Sequence, residues 1–255
     1  MNTPAEFLDL RGMHALVTGA SGGVGAEICK RLLVSGVDVL ATDIDERGLS
    51  ELESHVDGGG RLVTVPADLS EPTAAKHLAQ TATANDLKLR ILINNAALFV
   101  REPLGEVTTE GFDKAMAVNV RTPIFLIQEL LPAMVAAGGG VVVNVASVAV
   151  RTGGAIDVLS YTASKGALVA ATKSIAKSVA ARNVRVNALL PAAIDTPMLR
   201  GGFTSAQVEE VTAQVPLGRL ADPSEIAAVV CWLCSSESSY ITGASIDVNG
   251  GWVMT

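Results

Sequence analysis

Seven short apolar runs, near residues 13–18, 37–43, 61–66, 89–94, 140–146, 184–190 and 244–248, alternate with helix-forming stretches along the 255-residue chain. A strand with one face in water shows polar residues at every second position. These runs are apolar on both faces, which parallel strands covered on each side by connecting helices require. The expectation is an α/β fold: one doubly wound parallel sheet of about seven strands with helices on both faces. Neither linker nor repeat interrupts the alternation, so residues 1–255 read as a single domain. Gly58-Gly59-Gly60 and Gly138-Gly139-Gly140 read as loops entering strands. With 49% hydrophobic residues and only 4% aromatic, the core is built mainly from Ala, Val, Leu and Ile.

The first strand runs into Thr18-Gly19-Ala20-Ser21-Gly22-Gly23-Val24-Gly25, followed by an amphipathic stretch from Ala26 to Val34. Strand, glycine turn and helix in that order make a phosphate site, because glycine lets backbone approach a ligand and the first amides of the helix point at it. The spacing is G-x-x-x-G-x-G, and no G-x-x-x-x-G-K-[ST] loop occurs, which disfavours an ATPase. Asp43 ends the second strand eighteen residues beyond Gly25. A carboxylate at about that distance accepts from a ribose 2′-hydroxyl and repels a 2′-phosphate. NAD is therefore expected over NADP, in a Rossmann-type fold. The same glycines also spell G-x-S-x-G at Gly19, Ser21 and Gly23, but a hydrolase elbow needs a later histidine, and His55 and His77 both fall early in the chain.

Tyr161 and Lys165 lie four residues apart in an Ala-rich helical run, on one helix face. A nearby ammonium favours the phenolate, so the pair is expected to lower the Tyr161 pKa and make it a proton donor and acceptor near neutrality. An alcohol-to-ketone conversion needs such a group.

These motifs recur in a fixed order with Ala67-Asp68-Leu69, Asn94-Asn95-Ala96-Ala97, Val118-Asn119-Val120, Ser147, Pro191 to Thr196 and Ile241 to Gly251. In this the chain resembles the short-chain dehydrogenase/reductase family over nearly its whole length. The resemblance implies a catalytic set of Asn119, Ser147, Tyr161 and Lys165. Tyr161 would exchange the proton, Lys165 would also donate to the nicotinamide ribose, Ser147 would orient the substrate oxygen, and Asn119 would hold a water connecting Lys165 to solvent. It implies a cofactor site made by Gly19, Ser21, Gly23, Val24, Gly25, Asp43, Ile44, Asp68, Leu69, Asn95, Ala96, Ala97, Tyr161, Lys165, Pro191, Ile194 and Thr196. Within that site Asp68 would lie beside adenine, the Asn94-Asn95 pair would steady the sheet and the cofactor, and Thr196 would contact the carboxamide. Ala97 and Ala192 stand where the family usually carries glycine, which demands either negative φ or a displaced contact. The Ser147-to-Tyr161 spacing is slightly long for the family, placing extra chain in the loop Val148 to Leu159.

The segment 196–215, with Gly201-Gly202 as a possible hinge, reads as a substrate lid, with Met198, Leu199 and Phe203 as pocket walls. Val148, Val150, Arg151, Ile156, Asp157 and Val158 complete the expected pocket. The function read from these residues is NAD-dependent hydride transfer at a secondary alcohol or ketone. The alternatives are an NADPH-dependent ketoreductase of the 3-oxoacyl-carrier-protein type and a dinucleotide-binding regulator without turnover. A net charge of −7 without a Lys/Arg cluster disfavours nucleic acid as a partner. No apolar run reaches the ~18 residues of a membrane span, and no basic-then-apolar signal opens the chain, so a cytoplasmic location is expected. Cys29, Cys231 and Cys234 are an odd set, and Cys231-x-x-Cys234 sits in an apolar helical run with no second pair for zinc. Buried free thiols are the expectation, and no metal. The resemblance further implies a homotetramer formed through the long helices around Asn119 and Tyr161.

Overall fold

A computed structural model describes residues 9–54, 59–154 and 157–254. Strands β1 (His14–Thr18), β2 (Asp38–Asp43), β3 (Leu62–Pro66), β4 (Leu89–Asn94), β5 (Gly140–Val145), β6 (Val184–Pro191) and β7 (Ser245–Val248) form one sheet. All pairs are parallel, in the order β3-β2-β1-β4-β5-β6-β7. The expected doubly wound sheet is present, and each strand lies within about a residue of its sequence-based bounds. His55, Gly58 and Ile156 lie outside the described residues.

The helices are α1 (Gly23–Val34), α2 (Glu46–Ser54), α3 (Ala74–Ala84), α4 (Thr109–Met116), α5 (Thr122–Ala136), α6 (Ala149–Thr152), α7 (Leu159–Val179), α8 (Pro197–Gly202), α9 (Ser205–Ala213) and α10 (Pro223–Cys234). Successive strand residues point to opposite faces, so each strand feeds two cores. On one face Val17, Val39, Ile93 and Val143 pack with Ile28 and Leu32 of α1 and with Ile226 and Val230 of α10. On the other, Leu16, Leu40, Leu92 and Val142 meet Leu78 of α3, Leu126 and Leu130 of α5, and Val179 of α7. Cys29, Cys231 and Cys234 are free and buried, and burial pushes the Cys231 thiol up to about 12. No helix among the described residues is long and apolar enough to cross a membrane.

Chain direction across the sheet reverses between β1 and β4, which opens a crevice at the carboxyl ends of the strands. Two local departures from the sequence reading shape that crevice. The helix expected over Thr108 to Val135 is divided by a π-helical segment, Ala117–Arg121, which carries Asn119. Such widened turns occur frequently at functional sites. The segment 196–215 is two helices, α8 and α9, with Gly201 and Gly202 in the last turn of α8 and not at an extended hinge. Thr196 caps α8 with Pro197 at its first position, and Thr204 with Gln207 forms a capping box on α9.

Candidate active site

The turn after β1 is held by the end of β4. The Asn95 side-chain amide donates to the carbonyls of Thr18 and Gly19 at 3.1 and 3.0 Å, and the Thr18 hydroxyl accepts from the amides of Asn95 and Ala96, each at 3.1 Å. Gly19 has φ +67°, and a Cβ there would lie 2.7 Å from the Ala96 Cα. A Cβ on Gly25 would lie 1.8 Å from the Gly19 carbonyl oxygen. Only glycine lets helix and turn come this close. Gly22 caps α1 without a side-chain acceptor, leaving the first-turn amides to other partners.

Asp43 is fixed by backbone. Its carboxylate accepts from the Ser21 amide at 3.0 Å and from the Asp45 amide at 3.1 Å. Asp68 accepts from the Ser70 amide at 2.8 Å, and hydrogen bonds from Ser70 hold its carboxyl below the usual range. These groups line one cleft of about 470 Å³ that runs from Asp43 past the glycine turn to Tyr161. Every residue of the expected cofactor site lines it except Gly25, which is buried behind the turn.

At the far end, Ser147 follows β5 and its hydroxyl accepts from the Ala149 amide at 3.1 Å. Lys165 is 1% exposed and donates to the Val145 carbonyl at 2.7 Å. Its ammonium lies 5.8 Å from the centre of the Tyr161 ring. Burial lowers the Lys165 pKa to about 7. Burial also raises the Tyr161 pKa, opposed by a hydrogen bond with Ser147. This corrects the expectation of a phenol lowered by its lysine: Lys165 is buried and Tyr161 half-buried, and desolvation disfavours both charged forms.

Asn119 is fully buried, and its side chain is committed to protein groups. Its Oδ1 accepts from the Leu98 amide at 2.8 Å, and its Nδ2 donates to the Leu98 carbonyl at 3.0 Å and to the Ser164 hydroxyl at 2.9 Å. Ser164 donates in turn to the Tyr161 carbonyl at 2.7 Å. Asn119 does not line the cleft; it ties the loop after β4 to α7.

A smaller cavity of about 170 Å³ adjoins the cleft at Ser147, Tyr161 and Thr196. Val148, Val158, Met198, Leu199 and Phe203 line it as expected, joined by Phe99 and Trp252, which the sequence did not single out. Val150 instead packs into a small cluster with Ala146 and Leu190. Arg151 pairs with Asp247 at 3.3 Å, and Asp157 turns its backbone to Glu102, so neither reaches the cavity.

The family model described as enoyl-(acyl carrier protein) reductase matches residues 19–253. A rat protein named (3R)-3-hydroxyacyl-CoA dehydrogenase is 33% identical over 98% of this chain and 100% of its own. A solved Brucella melitensis short-chain dehydrogenase/reductase of the glucose/ribitol dehydrogenase type superposes with a TM-score of 0.89, at 30% identity over 97% of this chain and 99% of that one. The chain belongs to the short-chain dehydrogenase/reductase family. A blue fluorescent protein from a metagenomic library, solved in complex with NADPH, is also similar, with a TM-score of 0.88 and 32% identity over 96% of this chain and 100% of its own.

As a short-chain dehydrogenase/reductase, the protein is an oxidoreductase with a nucleotide-binding sheet. Its two glycine replacements are conformationally ordinary. Among the described non-glycine residues, only Asp9, Asp86, Asp157 and Asn183 have positive φ, so Ala97 and Ala192 sit in backbone that any residue adopts. Lys114 of α4 lines the cleft and acts electrostatically on Asp68. No motif marks it in the sequence; the path of α4 brings it there.

The buried Lys165 carries a stability consequence. Its folded pKa of about 7 lies below the ordinary 10.5, so the unfolded chain binds more protons between those values, and stability rises with pH across that window. Without ligand, Lys165→Met should melt at a higher temperature than wild type at neutral pH. The difference should shrink as pH approaches the ordinary lysine value. Thermal unfolding at a series of pH values measures this, and a variant less stable at neutral pH would contradict it.

Proposed function

We propose that the protein is an NAD-dependent oxidoreductase that interconverts a secondary alcohol and a ketone, with Tyr161 as general acid and base. The observation that carries this reading is the meeting of the two cavities at Ser147 and Tyr161, with buried Lys165 directly behind. A dinucleotide fits the larger cleft: the turn at Gly19 and Gly25 has no room for Cβ atoms, and α1 offers uncapped amides to a pyrophosphate. In this reading Ser21, Gly23 and Val24 hold the pyrophosphate, Asp43 and Ile44 the adenosine ribose, and Asp68 and Leu69 flank the adenine. Asn95, Ala96, Ala97, Pro191, Ile194 and Thr196 border the nicotinamide half. When bound, the nicotinamide supplies the hydride acceptor or donor.

Tyr161 passes its proton to or from the substrate oxygen, and Ser147 hydrogen-bonds the same oxygen. Lys165, which lines the cleft beside Tyr161, would in its protonated form donate to the cofactor ribose. Asn119 acts as a positioning residue through Leu98 and Ser164. Residues 1–255 act as one domain, with α8 and α9 as the lid.

The substrate is a small-molecule ketone or alcohol. Among the described residues lining the smaller cavity none is Asp, Glu, His, Lys or Arg, which favours an apolar substrate over a polyol. A homotetramer in the cytoplasm completes the reading: Phe125 and Val135 of α5 stand exposed, and buried free thiols suit a reducing compartment.

A second reading, an NADPH-dependent 3-oxoacyl reductase, is favoured by the acyl-carrier and acyl-CoA names of the matching family and relative. Incubating the protein with NADH or NADPH and a panel of apolar ketones, acetoacetyl-CoA and a ketohexose separates the two. Faster loss of reduced nicotinamide with NADH and an apolar ketone is the expected result. Turnover confined to NADPH and the thioester would replace the first reading by the second.

A further inference from the structure

We propose that Phe99 is the specificity-determining residue of this enzyme, setting how much bulk the substrate carries next to its carbonyl carbon. The inference rests on the reading of the smaller cavity as the substrate pocket.

Phe99 is held from behind. Buried Asn119 bonds both the amide and the carbonyl of the preceding residue, Leu98, at 2.8 and 3.0 Å, so the backbone that carries the ring has little freedom. The ring then makes two aromatic contacts. It stands edge-on to Tyr161, with centroids 5.0 Å apart and planes at 76°, and it lies 5.8 Å from Phe203 after the lid helix α8. Both distances fall in the range of favourable aromatic pairs.

Its remaining side is closed by Gly202. A Cβ on Gly202 would lie 2.9 Å from the Phe99 Cε1, a contact neither group could accept without moving. Arg101 fastens the same corner: its guanidinium lies 4.9 Å from the Phe203 ring centre and donates to the Gly202 carbonyl at 3.1 Å. One ring therefore touches the proposed proton donor and the lid at once. Any substituent on the carbinol carbon directed to this side meets the Phe99 ring. The ring does not line the dinucleotide cleft, so its replacement leaves the lining of that cleft unchanged.

The test compares methyl ethyl ketone with tert-butyl methyl ketone, whose bulk abuts the carbonyl, in wild type, Phe99→Ala, Phe99→Leu and Gly202→Ala. Binding is read in the presence of oxidised dinucleotide from the fluorescence of Trp252, which lines the same cavity, with Trp252→Phe as the silent control. Turnover is read separately with reduced dinucleotide.

Phe99→Ala should shift the bulky-to-small ratio roughly tenfold or more toward the bulky ketone, in binding and in kcat/KM, since a group of this size in an apolar pocket discriminates by that order. Phe99→Leu should shift it less, and Gly202→Ala, which drives the ring into the pocket, should shift it the other way. A binding ratio unchanged in Phe99→Ala and Phe99→Leu would overturn the assignment. So would the absence of any Trp252 response to either ketone in every variant. If wild type binds both ketones and reduces neither with either dinucleotide, the oxidoreductase reading fails, and the assignment of Phe99 is still decided by the binding ratio.

Discussion

Replacing Tyr161 by phenylalanine should lower ketone reduction by roughly a thousandfold or more while leaving dinucleotide affinity within a small factor of wild type. Positioned proton transfer contributes about two to four orders of magnitude to a rate, and the substitution removes only the hydroxyl. The ring, its edge contact with Phe99 and the α7 backbone stay in place. The pH dependence carries a sign. Burial holds the phenol above its ordinary pKa, so it is protonated at neutral pH and ready to act as the acid for a ketone. Alcohol oxidation needs the phenolate and should accelerate relative to reduction as pH rises, whereas ketone reduction uses the phenol together with protonated Lys165 and should decline as pH rises past about 7. Steady-state rates in both directions across pH, for wild type and Tyr161→Phe, measure this. Full turnover in the variant would remove Tyr161 from the chemistry.

Asp43→Ala should abolish a preference for NADH over NADPH, with a change of about ten- to a hundredfold in the ratio of the two affinities. The carboxylate is held by two backbone amides, from Ser21 and Asp45, so it stays near the cleft whether or not a ribose is present. A fixed anion favours a 2′-hydroxyl and opposes a 2′-phosphate, and a charge-assisted hydrogen bond with the attendant repulsion is of this order. Lys114 lines the same cleft on the Asp68 side, so the variant should gain NADPH affinity as well as lose NADH affinity. Titration of both reduced cofactors at matched ionic strength reads the ratio. Tighter binding of NADPH by wild type would show that Asp43 does not govern the choice.

What the sequence made legible was local. Strand positions could be read because a parallel sheet buried on both faces leaves unbroken apolar runs, as in Val141-Val142-Val143. The glycine turn, Asp43 and the Tyr161–Lys165 pair are likewise short-range patterns, each with its own physical reason. Helices α8 and α9 carry start signals too, in Thr196-Pro197 and Thr204-x-x-Gln207, but Gly201-Gly202 points to a hinge where the structure has the last turn of α8.

Long-range placement was not legible. Phe99, Trp252 and Lys114 carry no motif and reach the site only because a loop after β4, the chain after β7 and helix α4 converge on the crevice. The direction of the Tyr161 shift failed for the same reason. Helical spacing sets Lys165 beside Tyr161, but only the packed structure shows the lysine sealed against Val145, where desolvation outweighs its charge.

The central claim is hydride transfer between a nicotinamide and a secondary carbinol carbon, and the most direct measurement is the fate of a label. NADH deuterated at its transferable position is incubated with the protein and an apolar ketone, and the alcohol is analysed by mass spectrometry. The account predicts one deuterium on the carbinol carbon, delivered faster from NADH than from equally labelled NADPH and lost with Tyr161→Phe. Dinucleotide binding with no deuterium in the product from either cofactor, across apolar ketones and acyl thioesters alike, would contradict it and leave a nucleotide-binding protein without turnover.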